Sequence, residues 1–321
     1  MALDRRGFLR IAGKGALMAS TGTLLPALGA CASRNYSRGD DLFVTRNLTP
    51  PGSFTSGVEG PAVDAQGNLY AVNYQRQHTI GRITPNGEVS IFVELPGGSI
   101  ANGIRFTSRG DMLLADYVNH NILKVDMVTR QITVYAHEPR MNQPNDLAIG
   151  ANDLVYASDP NWREGTGQLW RVDPDGTTVL LEGNMGTTNG IEVSPDERKL
   201  YVNESVQRKV WVYDLSPDGG VSNKRLLIEF ADYGLDGMRC DIDGNLYITR
   251  YGKGTVVVVS PQGEVIREVP IAEGRNPSNL AFGGPDGRTV YVTVADRGNV
   301  QYFRTDRPGR SWALMQRRRL G

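Results

Sequence analysis

Two cysteines, three histidines and no net charge stand out as shortages in this 321-residue chain, and each one excludes something. Cys240 falls at an apolar position of "GMRCDIDGNLYIT" and reads as a buried small hydrophobe. No local signature supplies the base that a catalytic thiol needs. The charge balance, 35 basic against 35 acidic residues, argues against nucleic acid as a partner. The one basic run, Arg317-Arg318-Arg319, closes a segment (311–321) that reads as a solvated, frayed tail. Of the histidines (His78, His120, His137), His137 in "YAHEPR" reads as an exposed loop residue. There is no G-x-S-x-G elbow, and no Gly-rich phosphate loop in strand–helix context.

A membrane span is also missing. The N-terminal apolar stretch is cut by Lys14 and Pro26, short of the roughly 20 apolar residues a span needs. With Arg5, Arg6, Arg10 and Lys14 ahead of it, residues 1–31 read as an export signal. Asp4-Arg5-Arg6-Gly7-Phe8-Leu9 resembles a bacterial twin-arginine signal. Leu28-Gly29-Ala30-Cys31 resembles a lipobox, and the alternative is soluble release after Ala32. The expectation is an exported protein, periplasmic or lipid-anchored through Cys31, with its only membrane contact through that lipid. Beyond residue 30 the chain carries 31 basic and 34 acidic residues, net −3. A lipidated Cys31 leaves no internal disulfide.

What the chain has is glycine (38), proline (17) and recurring β-branched and aromatic runs, the signature of many short strands. Six segments align: "EGPAVDAQGNLYAVNY", "NGIRFTSRGDMLLADY", "NDLAIGANDLVYASDP", "NGIEVSPDERKLYVNES", "DGMRCDIDGNLYITRY" and "SNLAFGGPDGRTVYVTVA". They start at Glu59, Asn102, Asn145, Asn189, Asp236 and Ser278, at intervals of 43, 43, 44, 47 and 42 residues. Four positions on, each has an apolar residue: Val63, Phe106, Ile149, Val193, Cys240 and Phe282. Two further strands follow in each unit, with hairpin turns such as Pro85-Asn86-Gly87 and Pro174-Asp175-Gly176. Four strands per unit at this period describe an all-β, six-bladed propeller with four-stranded antiparallel blades around a central channel. It is expected over 40–310 after a linker at 32–39. The strand-like "DDLFVTR" is expected to complete the last blade and close the ring.

In a propeller the inner strands start at one rim of the channel. The six starting residues therefore form a polar ring of two carboxylates, three amides and Ser278. Empty, the ring repels itself; a hard cation with oxygen ligands resolves this. No Cys or His occupies these positions, which disfavours zinc or copper.

"EGPAVD", "PNDLAI", "TNGIEVSPDERKLYVNES" and "LDGMRCDIDGNLYI" resemble the SMP-30/gluconolactonase family, and more distantly diisopropyl fluorophosphatase. The resemblance covers nearly the whole chain after the signal. It implies a six-bladed propeller with one catalytic divalent cation, Ca²⁺ first, with Mn²⁺, Mg²⁺ or Zn²⁺ as alternatives. It implies the ligands Glu59, Asn145, Asn189 and Asp236, leaving Asn102 and Ser278 as non-ligand ring members. The implied chemistry is metal-assisted opening of a small or sugar lactone, with Asp236 as general base or nucleophile. Asp146 is a candidate for orienting the ligands, and Ser278 stands behind them with it. Where some sugar-lactone members carry Arg two positions before the blade-three Asn, this chain has Gln143.

Loops after the second strands are expected to wall the mouth with Tyr74, His78, Asp116, Tyr117, His120, Asp159, Trp162, Arg250, Tyr251 and Asp296. Asn102, Tyr117, His120, Asp159, Trp162, Arg250 and Tyr251 are the expected substrate contacts. The segment "SDPNWREGTG" is expected to be the longest loop, a substrate contact or lid. The rival readings are a non-catalytic binding propeller of the cell envelope and a strictosidine-synthase-like enzyme.

Overall fold

A computed structural model describes residues 41–320. The export signal, Cys31 and the linker lie outside the described residues. Within them, 24 strands form six four-stranded antiparallel sheets, one per sequence repeat. The inner strands are Ala62–Val63, Ala101–Phe106, Leu147–Ile149, Thr188–Val193, Gly234–Cys240 and Pro277–Gly283. Blades one to five are each continuous in sequence. Blade six takes its outermost strand from the N-terminal side, Arg46–Asn47, which pairs with Tyr302 and Gln301 and closes the ring. The closing strand is thus later and shorter than "DDLFVTR". Ahead of Arg46, that stretch contributes an isolated Leu42↔Arg304 bridge.

The repeated apolar position is where each inner strand meets the next strand: Val63 opposite Leu69, Phe106 opposite Met112, Ile149 opposite Val155, Val193 opposite Leu200, Cys240 opposite Leu246 and Phe282 opposite Val290. These side chains pack between blades rather than at a single centre. Tyr201, Val210 and Val212 of blade four, for example, bury against Leu235, Met238 and Cys240 of blade five. Each fully buried apolar side chain contributes about 1.5–3 kcal/mol. Burial pushes the Cys240 thiol well up, in keeping with an inert core residue.

Two expectations fail here. His137 is the last residue of the strand Ile132–His137 rather than a loop residue, and its Nδ1 lies 2.8 Å from Asn121 Oδ1. The basic C-terminal segment is not frayed: Arg310–Leu320 is an α-helix docked on the far end of the channel. Leu314 and Arg310 are buried, and the Trp312 ring covers Gly287, where a Cβ would sit 2.4 Å from it. Lone basic letters gave no sign of this, because the contacts that hold the helix come from blades three, four and six.

Candidate metal centre

The inner strands enter the channel through irregular backbone. The pairing slips between Ala101 and Ile104, Thr188 and Ile191, Leu235 and Met238, and Pro277 and Asn279. Each slip is a bulge-like extra residue, which re-aims side chains at a strand's start. Asn102, Asn189 and Asp236 lie inside these slips, each followed by glycine. The glycines let neighbouring blades touch. A Cβ on Gly60 would fall 1.8 Å from Asn102 O, and one on Gly237 would fall 2.0 Å from Asn279 Cγ. Gly103 is similarly pressed on Asn145, and Gly190 on Asp236. Blade-to-blade contact therefore runs from Glu59 to Asn102 to Asn145, and from Asn189 to Asp236 to Asn279. Asn279 Nδ2 then returns to Glu59 Oε2 at 3.1 Å.

Glu59, Asn102, Asn145, Asn189 and Asp236 are all at most 4% exposed. Ser278 takes another place: its Oγ donates to Val58 O (2.8 Å) and meets Thr293 Oγ1 (2.9 Å) at the seam of blades six and one. The blade-six residue that reaches the channel is Asn279, one position later.

The donor chemistry fits a hard divalent cation. Asn145 Oδ1 and Asn189 Oδ1 are buried amide oxygens with no hydrogen-bond donor within the protein, and Asn189 Nδ2 has no acceptor. Buried polar atoms are ordinarily paired, so two orphaned oxygens beside two carboxylates call for a positive partner. Glu59 and Asp236 supply the matching two negative charges. Among the described residues no cluster of three or more His, Cys, Asp or Glu could hold a metal, so the two carboxylates need other oxygens beside them, and the ring offers amides.

Beneath the ring, the positions of Gly60, Gly103, Gly190 and Gly237 are taken in blades three and six by Asp146 and Asn279. Blades three and six face each other across a six-bladed ring. Their two side chains meet, Asn279 Nδ2 lying 3.3 Å from Asp146 Oδ2. Arg239 donates through both Nη atoms to Asp146 (2.8 and 3.1 Å), and Arg105 Nη2 lies 3.4 Å from Asp146 Oδ1. Burial alone would raise the Asp146 carboxyl, but Arg239 and Arg105 hold it below the usual range. Burial, with repulsion from Arg239, brings Arg105 down to about 10. One carboxylate between two guanidiniums thus props the ring from below, and through Asn279 it reaches Glu59. Asn203 adds a brace: its amide accepts from Gly190 N (3.2 Å) and donates to Asp236 O (2.6 Å), tying blade four to blade five.

Residues 58–296 match the model of the SMP-30/Gluconolactonase/LRE-like region. This chain belongs to that family. It is 31% identical over 282 residues to a gluconolactonase of Zymomonas mobilis subsp. mobilis, covering 77% of this chain and 78% of the relative. A 6-deoxy-6-sulfogluconolactonase of Pseudomonas putida matches at 34% over 137 residues, 42% of this chain and 46% of that one. Among solved structures, a calcium-binding regucalcin of Agrobacterium tumefaciens str. C58 superposes with a TM-score of 0.73 at 20% identity, covering 83% and 95% of the two chains. That likeness concerns the fold.

In this SMP-30/gluconolactonase chain the rim residues divide into two groups. Half-buried Tyr117, His120, Trp162 and Tyr251 sit in or beside the turns at the mouth. The charged residues expected beside them are occupied otherwise. The Asp159 carboxylate accepts from Asn142 N (2.8 and 2.9 Å), Gln143 N (2.6 Å) and Trp170 Nε1 (3.1 Å), so it shapes the loop that delivers Asn145. Burial outweighs these bonds and raises its pKa. Asp116 likewise accepts from Ser99 Oγ and Ile100 N ahead of Asn102, and Asp296 from Arg275 N and Asn276 N ahead of Asn279. Arg250 is 1% exposed, bonded to Asp232 and stacked on Phe230 ahead of Asp236. These groups fasten the loops entering the channel, and the three carboxylates spend their oxygens on backbone and side-chain donors there. Nor is "SDPNWREGTG" a long loop. Strands Val155–Asn161 and Thr166–Val172 extend through it as a hairpin with a four-residue turn, 162–165.

Asn279, Arg105, Arg239, Glu192, Asn203 and Arg310 were not picked out from the sequence. The signal for Asp146 and Asn279 was present, as the two breaks in an otherwise glycine column of the repeat.

Proposed function

We propose that this chain is a lactonase whose Glu59, Asn145, Asn189 and Asp236 hold one divalent cation, calcium in view of the all-oxygen donor set. The observation that carries this is the pair of orphaned amide oxygens, on Asn145 and Asn189, buried beside two carboxylates. Kinship with a gluconolactonase along 77% of the chain supports a lactone as substrate class. When bound, the cation supplies Lewis-acid polarisation of an ester carbonyl.

The chain's own residues do the rest. Glu59 is aimed by Gly60 N (2.9 Å) and Asn279 Nδ2, which both donate to its Oε2. Asn102 Nδ2 donates to Asn145 O at 3.3 Å and steadies the entry of blade three. Asp236 takes a proton from the water that adds to the lactone carbonyl carbon. It returns that proton to the ring oxygen as the acyl C–O bond breaks, giving the hydroxy acid. Tyr117, His120, Trp162 and Tyr251 wall the entrance with apolar faces and polar tips, suited to a small polar ligand.

The test is hydrolysis of a lactone and aryl-ester panel by the purified protein, with Ca²⁺, Mn²⁺ or Mg²⁺ and with chelator. Cation-dependent turnover is expected, falling by about 10²–10⁴-fold in Asp236→Asn. Cation binding with no turnover on any ester would overturn the lactonase reading and leave a binding propeller. Turnover that persists in chelator would remove the cation from it.

A further inference from the structure

At the far end of the channel one side chain from outside the propeller reaches two inner strands at once. Arg310 opens the C-terminal helix and is 3% exposed. Its guanidinium donates to Ser194 O and Ile149 O at 3.1 Å each and to Glu197 Oε1 at 2.9 Å, and it lies 3.4 Å from Glu192 Oε1. Ile149 ends the blade-three inner strand, four residues beyond Asn145. Ser194 follows the blade-four inner strand, five residues beyond Asn189. One fork therefore clamps the far ends of the two strands that deliver Asn145 and Asn189.

Those amides have no hydrogen bonds of their own at the tips that face the ring: Asn145 Oδ1, Asn189 Oδ1 and Asn189 Nδ2 are unpaired. Their spacing is thus inherited from the strands. The lever is short, about 13 Å for four extended residues. The anchor is firm as well, because charge-assisted hydrogen bonds in a buried setting are the stronger kind. Behind Arg310, Arg318 donates to Gly150 O and Ala151 O (3.2 Å each) and pairs with Asp153. A small void of about 50 Å³ beside Arg310 is lined by Ala62, Arg105, Glu192 and Arg239 on one side and by Leu314 and Arg318 of the helix on the other.

We propose that Arg310 is a positioning residue for the cation site, setting the separation of Asn145 and Asn189 from the opposite end of the channel. This rests on the reading of the ring as a divalent-cation site. It makes the C-terminal helix part of the site's affinity as well as a plug.

The experiment is calorimetric titration of the purified chain with Ca²⁺, alongside thermal unfolding, for wild type, Arg310→Met, Arg310→Lys and Leu314→Ala. Arg310→Met is expected to weaken Ca²⁺ binding roughly tenfold, as removal of outer supporting groups does. Arg310→Lys keeps the charge but loses the fork; it should recover part of the affinity, ending roughly threefold weak. Leu314→Ala loosens the same helix through its apolar face and should lower Tm with an unchanged Kd. Wild-type Kd in Arg310→Met overturns the proposal; should that variant not fold, wild-type Kd in Arg310→Lys does so. Equal weakening in Leu314→Ala also overturns it, since helix stability alone would then explain the effect. No Ca²⁺ binding by wild type would bring down the reading of the ring itself, a failure distinct from the others.

Discussion

Replacing Asn189 by leucine should change the protein's stability with opposite signs depending on calcium. The side chain is 1% exposed, and neither its oxygen nor its nitrogen has a hydrogen-bond partner within the protein. An unpaired buried polar group costs about 1–3 kcal/mol, whereas an apolar group of similar shape avoids that penalty. In chelator, Asn189→Leu is therefore expected to be more stable than wild type by about 1–3 kcal/mol. At roughly 2 °C per kcal/mol for a domain of this size, that is a rise of about 2–6 °C. Calcium at a thousand times its Kd adds about 4 kcal/mol to a one-site protein, or roughly 8 °C. The variant, lacking a ligand, should gain almost none of this. The order of stabilities thus inverts on adding calcium, and thermal unfolding of both proteins with and without calcium reads it directly. A variant less stable than wild type in chelator would show that the amide is well satisfied in the cation-free protein. A variant raised by calcium as much as wild type would show that Asn189 is no ligand. Either result refutes the reasoning.

Two further outcomes follow from buried carboxylates, one under the ring and one between the outer strands of blades two and three. Asp146→Asn keeps the shape but leaves Arg239 and Arg105 buried without their carboxylate; a loss of about 3–5 kcal/mol is expected in urea unfolding at neutral pH, and a change below 1 kcal/mol would mean the two guanidiniums are otherwise compensated. Glu138, on the connection that leads to Asn145, has its carboxyl pulled down to about 2, chiefly by the Arg140 side chain, against burial. Its folded value lies below an unfolded value near 4.3, so its stabilisation is present above about pH 4 and lost as pH falls toward 2. Glu138→Gln should therefore flatten the acid limb of stability between about pH 4 and 2, and an unaltered limb would assign that limb to other carboxyls.

The repeat made the architecture legible. Six apolar positions at a period in the low forties, each four residues after a polar start, allow few folds besides a propeller. The polar starts pointed to the ring because inner strands must converge on one axis. Rim chemistry was less legible. Asp159 and Arg250 look like mouth residues by position, yet the backbone amides of 142–143 and the Asp232 carboxylate take them up. Local order cannot reveal this, because a loop's hydrogen bonds depend on where the preceding blade leaves off. Ser278 was misplaced for a related reason: the pairing slip between Pro277 and Asn279 shifts which residue faces inward, and alternation along a strand assumes no slip.

The sequence by itself determined the six blades, their closure by a segment from the N-terminal side, and a channel rim carrying two carboxylates and three amides. Each of these follows from a pattern repeated at fixed spacing. Tertiary structure alone decided what lies beneath that rim. Asp146 and Asn279 are 133 residues apart and meet because blades three and six oppose one another across the axis. Arg310 clamps strands more than a hundred residues earlier because the helix folds back over the far end. Contacts across a closed ring have no spacing in the chain; their partners are fixed only when the last blade is paired with the first.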